Sequence, residues 1–196
     1  MNSFYFHALK EKNVDKLSEY ILNAIKGKNK LLLLCIGTDN CTGDSLGPLT
    51  GTLLKKDNCP CVIMGDLENI IDYTNIKEKI NYIKTYYNDH YIIAIDACLG
   101  QKTNVGKIFI EESSLFPAAA LRAKDISIGN ISIKGVVNRY ASMKYANEYI
   151  LQQTRLFHVY TMADVLSKSL INAINTNLHI CKSNDIDIGS KLLYSI

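Results

Sequence analysis

Apolar positions alternate along this chain between helical and strand-like spacing. From Val14 to Ile25, Leu17, Tyr20, Ile21 and Ala24 recur three to four residues apart, which predicts an amphipathic helix. Leu31 to Ile36 follows a Lys/Gly break and is apolar throughout, as a central parallel strand covered by helices on both faces must be. The segment GTDNCTGDSLGP, Gly37 to Pro48, then interrupts hydrophobicity with three glycines and two acids. A helix from about Ser45 to Lys56 comes next, closing on Lys55 and Lys56, whose charges offset the negative end of the helix dipole. Pro48 stands early enough in that helix to be tolerated. Cys61 to Met64 predicts a short strand, and Ile76 to Tyr87 a helix with Ile76, Ile80 and Ile83 on one face. Tyr91 to Ile95 is a second doubly apolar strand, ending on Asp96-Ala97-Cys98-Leu99-Gly100. Val105 to Ile110 reads as a strand, and Ile126 to Val137 contains another. From Ser142 the pattern is helical almost to Asn175, with a break near Thr154, and residues 184–196 read as a loosely packed tail.

Strands alternating with helices predict an α/β fold, with a parallel or mixed sheet between helices on both faces. Right-handed crossovers then place the transitions at Gly37 and Asp96 on one edge of the sheet. That edge, beyond the carboxyl ends of the strands, is where open α/β folds build their sites. No internal repeat or Pro/Gly/Ser-rich linker divides the chain, so residues 1–196 are expected to form one domain.

Composition narrows the function classes. Hydrophobic content of 47% and charged content of 21% exclude a disordered chain. The net charge of +3 comes with scattered lysines, which argues against a nucleic-acid partner, because that mode needs clustered cations. No apolar run reaches the roughly 20 residues of a membrane span, so no membrane partner is expected. The start, MNSFYFHALKEKNVDK, lacks the basic-then-apolar order of a secretory signal. A cytoplasmic protein with six reduced cysteines is the expectation. None of them lies in a CxxC pair, and Cys59-Pro60-Cys61 is too tight for a usual zinc knuckle, so no structural metal is expected.

The candidate chemistry gathers on Asp44 and Asp96. Asp96 directly follows five apolar residues, and an acid at the end of a buried strand is costly to ionise without donors or a partner charge. Asp44 stands just before a helix, where a carboxylate can cap free backbone N–H groups. If their loops are neighbours, like charges push one pKa up, leaving one acid protonated and the other ionised. That division suits activation of a water and protonation of a leaving amine. Two structural alternatives stand beside it: Asp44 as a helix cap, and Asp96 as a tie for its own loop. Asp39 and Asp66 also follow strands and could serve instead. The glycine-bearing loop matches neither GxGxxG nor a P-loop, and its aspartates would repel phosphate. Cys41 and Cys98 flank the acids, but a thiol nucleophile needs a base. His90 precedes its strand and belongs at the opposite sheet edge, while His7, His158 and His179 have no Cys or acid at ligand spacing.

With these residues in view, the chain resembles the YyaC sporulation protein family of endospore-forming bacteria. The segments that carry the resemblance are IGTDNCTGDSLGP (Ile36 to Pro48), IIAIDACLG (Ile92 to Gly100), ISIKGVVN (Ile131 to Asn138) and LQQTRL (Leu151 to Leu156). That family is similar to the germination protease, which degrades small acid-soluble spore proteins, and more distantly to the hydrogenase-maturation endopeptidases. The resemblance implies a three-layer α/β/α sandwich around a mostly parallel sheet. It also implies a peptidase of atypical aspartic type, in which Asp44 and Asp96 match the two aspartates implicated in the germination protease. Asp39 and Ser45 are supporting residues in this reading, and N–H groups near Gly43 are expected to polarise the carbonyl oxygen. No cofactor is required. The metal-dependent route of the hydrogenase-maturation enzymes is the lesser alternative: Asp96 matches their Asp, Asp44-Ser45 stands where they carry an acid pair, and their His has no counterpart. The expected partner is a protein or peptide substrate, spore proteins among the candidates, and oligomerisation is left open. The stretch SLFPAAALRAK, Ser114 to Lys124, departs from the relatives, where glycines are expected after the proline. A catalytically silent binding or scaffold protein on the same fold is the alternative function.

Overall fold

The computed structural model describes residues 3–10, 13–117, 127–141, 143 and 146–193, with side chains from Phe4 to Ser183. Six strands and five helices follow one another: β1 (Ser3–His7), α1 (Val14–Ile25), β2 (Leu31–Cys35), α2 (Leu46–Lys56), β3 (Val62–Met64), α3 (Ile76–Tyr86), β4 (Tyr91–Gly100), β5 (Lys107–Glu111), β6 (Ile131–Arg139), α4 (Asn147–Gln152) and α5 (Leu156–Leu193). The sheet order is β1-β5-β6-β4-β2-β3. β6, β4, β2 and β3 run parallel, and β5 runs antiparallel to both β1 and β6.

Alternation along β2 sorts its side chains into two cores. Leu31, Leu33 and Cys35 pack with buried residues of α1, α2 and α5 on one face. Leu32, Leu34 and Ile36 meet Ile76, Ile80 and Ile83 of α3 on the other. Helices on both faces of a mostly parallel sheet give the α/β architecture in three layers. Side-chain bonds tie the first helical layer together. Asn177 of α5, fully buried, accepts the Gly27 N–H and donates to the Lys28 carbonyl, each at 2.9 Å, holding the turn after α1.

Three features differ from the sequence expectation. β1 adds an edge strand, with Phe6 fully buried, where five residues are too few to show a period. β4 does not stop before Asp96 but continues to Gly100, because β6 pairs with it through that stretch after β2 has ended at Cys35. Asp96 is therefore the first residue of β4 beyond the end of β2 and not the first residue of a loop. At the carboxyl end of the chain α5 continues to Leu193. The packing of 184–196 and the departure after Pro117 fall outside the described residues.

The connectivity creates a crevice. From β2 the chain crosses to β3 on one side, while β4 leads by way of β5 to β6 on the other. The carboxyl ends of β2 and β4 thus flank the switch point at which open α/β sheets bind ligands. Two glycines let α2 start directly over it. Gly37 has φ +140°, and a Cβ there would lie 2.0 Å from the Asp44 carbonyl oxygen. A Cβ on Gly47 would lie 2.1 Å from the Ile36 carbonyl oxygen, so only glycine admits this close approach of helix to strand.

Candidate active site

Three consecutive residues leaving β2 organise the site. The Ile36 N–H donates to the Ile95 carbonyl at 2.8 Å, the Gly37 N–H to Ile71 at 2.8 Å, and the Thr38 N–H to Asp44 at 3.2 Å. Asp96 follows Ile95, and Asp72 follows Ile71. This short segment is thus bonded to the residues just before Asp96 and Asp72 and to Asp44 itself, and of the other two acids it is Asp72 whose charge acts on Asp44.

Asp44 lies inside a 3-10 turn, Thr42–Ser45, that leads into α2. Its N–H donates to the Cys41 carbonyl at 2.9 Å. Its carboxylate is half-buried and makes no hydrogen bond or ion pair among the described residues. α2 has no side-chain cap, so the helix-cap alternative for Asp44 does not hold. Burial and then the nearby charge of Asp72 raise its pKa above the ordinary aspartate value. Asp96 is 6% exposed. Its side chain lies on the same face of β4 as Ala94, toward α3, and its Oδ1 accepts the N–H of Ala97 at 2.8 Å. This is the local tie expected of a structural aspartate.

Asp72 was not among the sequence candidates. It is 9% exposed, and its Oδ1 accepts the N–H of Thr74 at 2.8 Å and its hydroxyl at 2.5 Å. The pattern Asp72-Tyr73-Thr74-Asn75 ahead of an apolar helix signals an Asx turn opening α3, and that is its local role. Nothing in the sequence shows that the turn lies against Asp44, because that depends on the bridge between Gly37 and Ile71.

The supporting candidates divide. Gly43 is buried against α4, where a Cβ would meet Leu151 at 2.7 Å, and Ser45 is buried with its hydroxyl donating to the Thr42 carbonyl at 2.7 Å. Both shape the turn. Burial raises the Cys41 thiol, and the backbone N–H groups of Asp44 and Gly43 offset this in part. Asp39 is exposed on the loop surface. Asp66 is a structural acid. Burial pushes its pKa up, but its ion pair with Lys55 and the N–H groups of Asn69 and Glu68 outweigh this and hold it below the usual range. Burial and the Asp96 charge push Cys98 up to about 12, the opposite of an activated nucleophile. His90 precedes β4 at the far edge of the sheet, against Asp89. Among the described residues no group of three or more His, Cys, Asp or Glu is arranged to hold a metal ion.

An open groove of about 460 Å³ lies along β3, lined by Met64, Gly65, Asn69, Ile71, Lys55 and Lys79, with none of the three acids in its wall. β3, which forms one wall, is an edge strand, and its outer backbone groups have no ladder partner among the described residues.

The family model described as "Protein of unknown function (DUF1256)" matches residues 5–169, from β1 into α5, and so includes all three acids. A relative, "Uncharacterized protein YyaC" of Bacillus subtilis (strain 168), is 37% identical over 160 residues, which is 81% of this chain and 76% of that protein. The chain belongs to the DUF1256 family, to which the resemblance to YyaC had pointed.

Proposed function

We propose that this member of the DUF1256 family is a peptidase in which Asp44 and Asp96 form an acid–base pair. The carrying observation is the Asp44 carboxyl, half-buried, without a partner among the described residues, and raised by burial and Asp72. A raised carboxyl holds its proton to higher pH than an ordinary aspartate, the direction a proton donor needs. In this mechanism Asp96 takes a proton from water as the water oxygen attacks the peptide carbonyl. Asp44 then gives its proton to the departing nitrogen, and a further proton exchange restores the pair. Asp72 stays outside the reaction and acts as a positioning residue through its charge. The groove along β3 suits an extended peptide, whose backbone would pair with the free strand edge.

The substrate class follows from the resemblance to the germination protease: a protein or peptide of the spore, met in the cytoplasm of a sporulating or germinating cell. No helix among the described residues is long and apolar enough to cross a membrane. The second reading, a silent scaffold on a protease fold, draws on the burial of Asp96 and its bond to its own backbone.

The test is incubation of the purified protein with small acid-soluble spore proteins, with new amino termini read by mass spectrometry. The peptidase reading predicts discrete cleavage that persists with a chelator present. No cleavage at any pH between mild acid and neutrality supports the scaffold, and cleavage that a chelator stops supports the metal route.

A further inference from the structure

At the other end of α2 from the acids, the chain brings two thiols into contact. Asn58 adopts a left-handed conformation, φ 53°, just after the helix, and the Cys59 N–H reaches back to the Leu54 carbonyl at 3.0 Å, a Schellman-type ending. Pro60 follows, and the Cys61 N–H donates to the Cys59 carbonyl at 2.9 Å. A bond from one residue to the second before it defines a γ-turn, and the central φ of its common form lies close to the value at which a proline ring is fixed. Val62 then enters β3. The two cysteines are thus pinned between a helix cap and a strand, with their sulfurs 3.6 Å apart. A disulfide needs about 2.05 Å, so the sulfurs have to close by roughly 1.5 Å.

We propose that Cys59 and Cys61 form a redox-active dithiol, oxidised by a hydroperoxide to an intramolecular disulfide and restored by small thiols. The Cys59 thiolate attacks one peroxide oxygen, the O–O bond breaks, and with a proton from solvent the first step yields Cys59 sulfenic acid and water. The Cys61 thiol then attacks the Cys59 sulfur and a second water leaves. Two thiols and one hydrogen peroxide give one disulfide and two waters; sulfur is oxidised and peroxide oxygen reduced. The contact between the two sulfurs lowers the Cys59 thiol and makes it the first attacker, reached at an 8% exposed position, while Cys61, half-buried, is the resolving thiol. Cys35 lies near the pair but is fully buried and pushed up to about 12, chiefly by that burial, which leaves it inert. This inference is independent of the peptidase reading.

The experiment exposes the reduced full-length protein to hydrogen peroxide, alkylates the remaining thiols and maps peptides by mass spectrometry. The expected product has lost two hydrogens within the peptide spanning Cys59 to Cys61 and is restored by dithiothreitol. Cys61→Ser traps a dimedone-reactive sulfenic acid on Cys59, and Pro60→Gly, which frees the turn, slows closure several-fold. Wild type carrying separate sulfinates at the two positions, or leaving both thiols alkylatable, overturns the proposal. Closure at an unchanged rate in Pro60→Gly overturns the part assigned to the turn.

Discussion

Asparagine at position 44 tests the residue-scale argument through stability as well as activity. A carboxyl whose pKa is raised in the folded state contributes most below its unfolded pKa and loses that contribution as pH rises through the folded value. Asp44→Asn is therefore expected to match wild type in acid and to be the more stable protein at neutral pH, as denaturant midpoints across pH would show. Asp66 has the opposite sign. Its folded pKa is lowered, so its contribution is present above the unfolded value and is lost as pH falls through the folded one. Asp66→Asn should be less stable than wild type at neutral pH, with the difference closing in acid. A third substitution addresses the cause of the Asp44 shift: Asp72→Asn removes the like charge, and the Asp44 carboxyl carbon should then titrate at lower pH by NMR. Legibility varied among these residues. Asp44 and Asp96 stood out because an acid beside glycines or after five apolar residues needs a reason. Asp72 did not, since its turn chemistry already accounted for it and its charge acts across a tertiary bridge.

At the scale of elements, the loop after β2 is held by backbone contact that excludes a side chain. Gly47→Ala would set a Cβ 2.1 Å from the Ile36 carbonyl oxygen, and the helix must move off the strand. The expected cost is about 1–3 kcal/mol, seen as a lower urea midpoint with an unchanged slope. Periodicity revealed α1, α2, α3 and the apolar strands β2 and β4 because each carries enough positions to show 3.6 or continuous burial. It stopped β4 early, since continuation past Asp96 is decided by pairing with β6 and not by local preference. β1 was hidden for the same reason: its strand character comes from the β5 edge it joins.

Across the whole molecule, the switch point between β2 and β4 brings Asp44 and Asp96 to one edge of the sheet, and distant packing holds the strands in place. Asn177 links α5 to the turn leading into β2. Asn177→Ala removes both bonds and, at about 0.5–1.5 kcal/mol each, should cost about 1–3 kcal/mol by denaturation, with any peptidase activity per folded molecule unchanged. Whether Asp44 and Asp96 work as a pair is read from turnover compared across pH. The measurement is the rate of spore-protein cleavage by wild type, Asp44→Asn and Asp96→Asn, each with its melting temperature recorded. The pair predicts a bell-shaped profile for wild type and a loss of at least about 100-fold in both folded variants. Two variants that fold normally and cleave at the wild-type rate would contradict it.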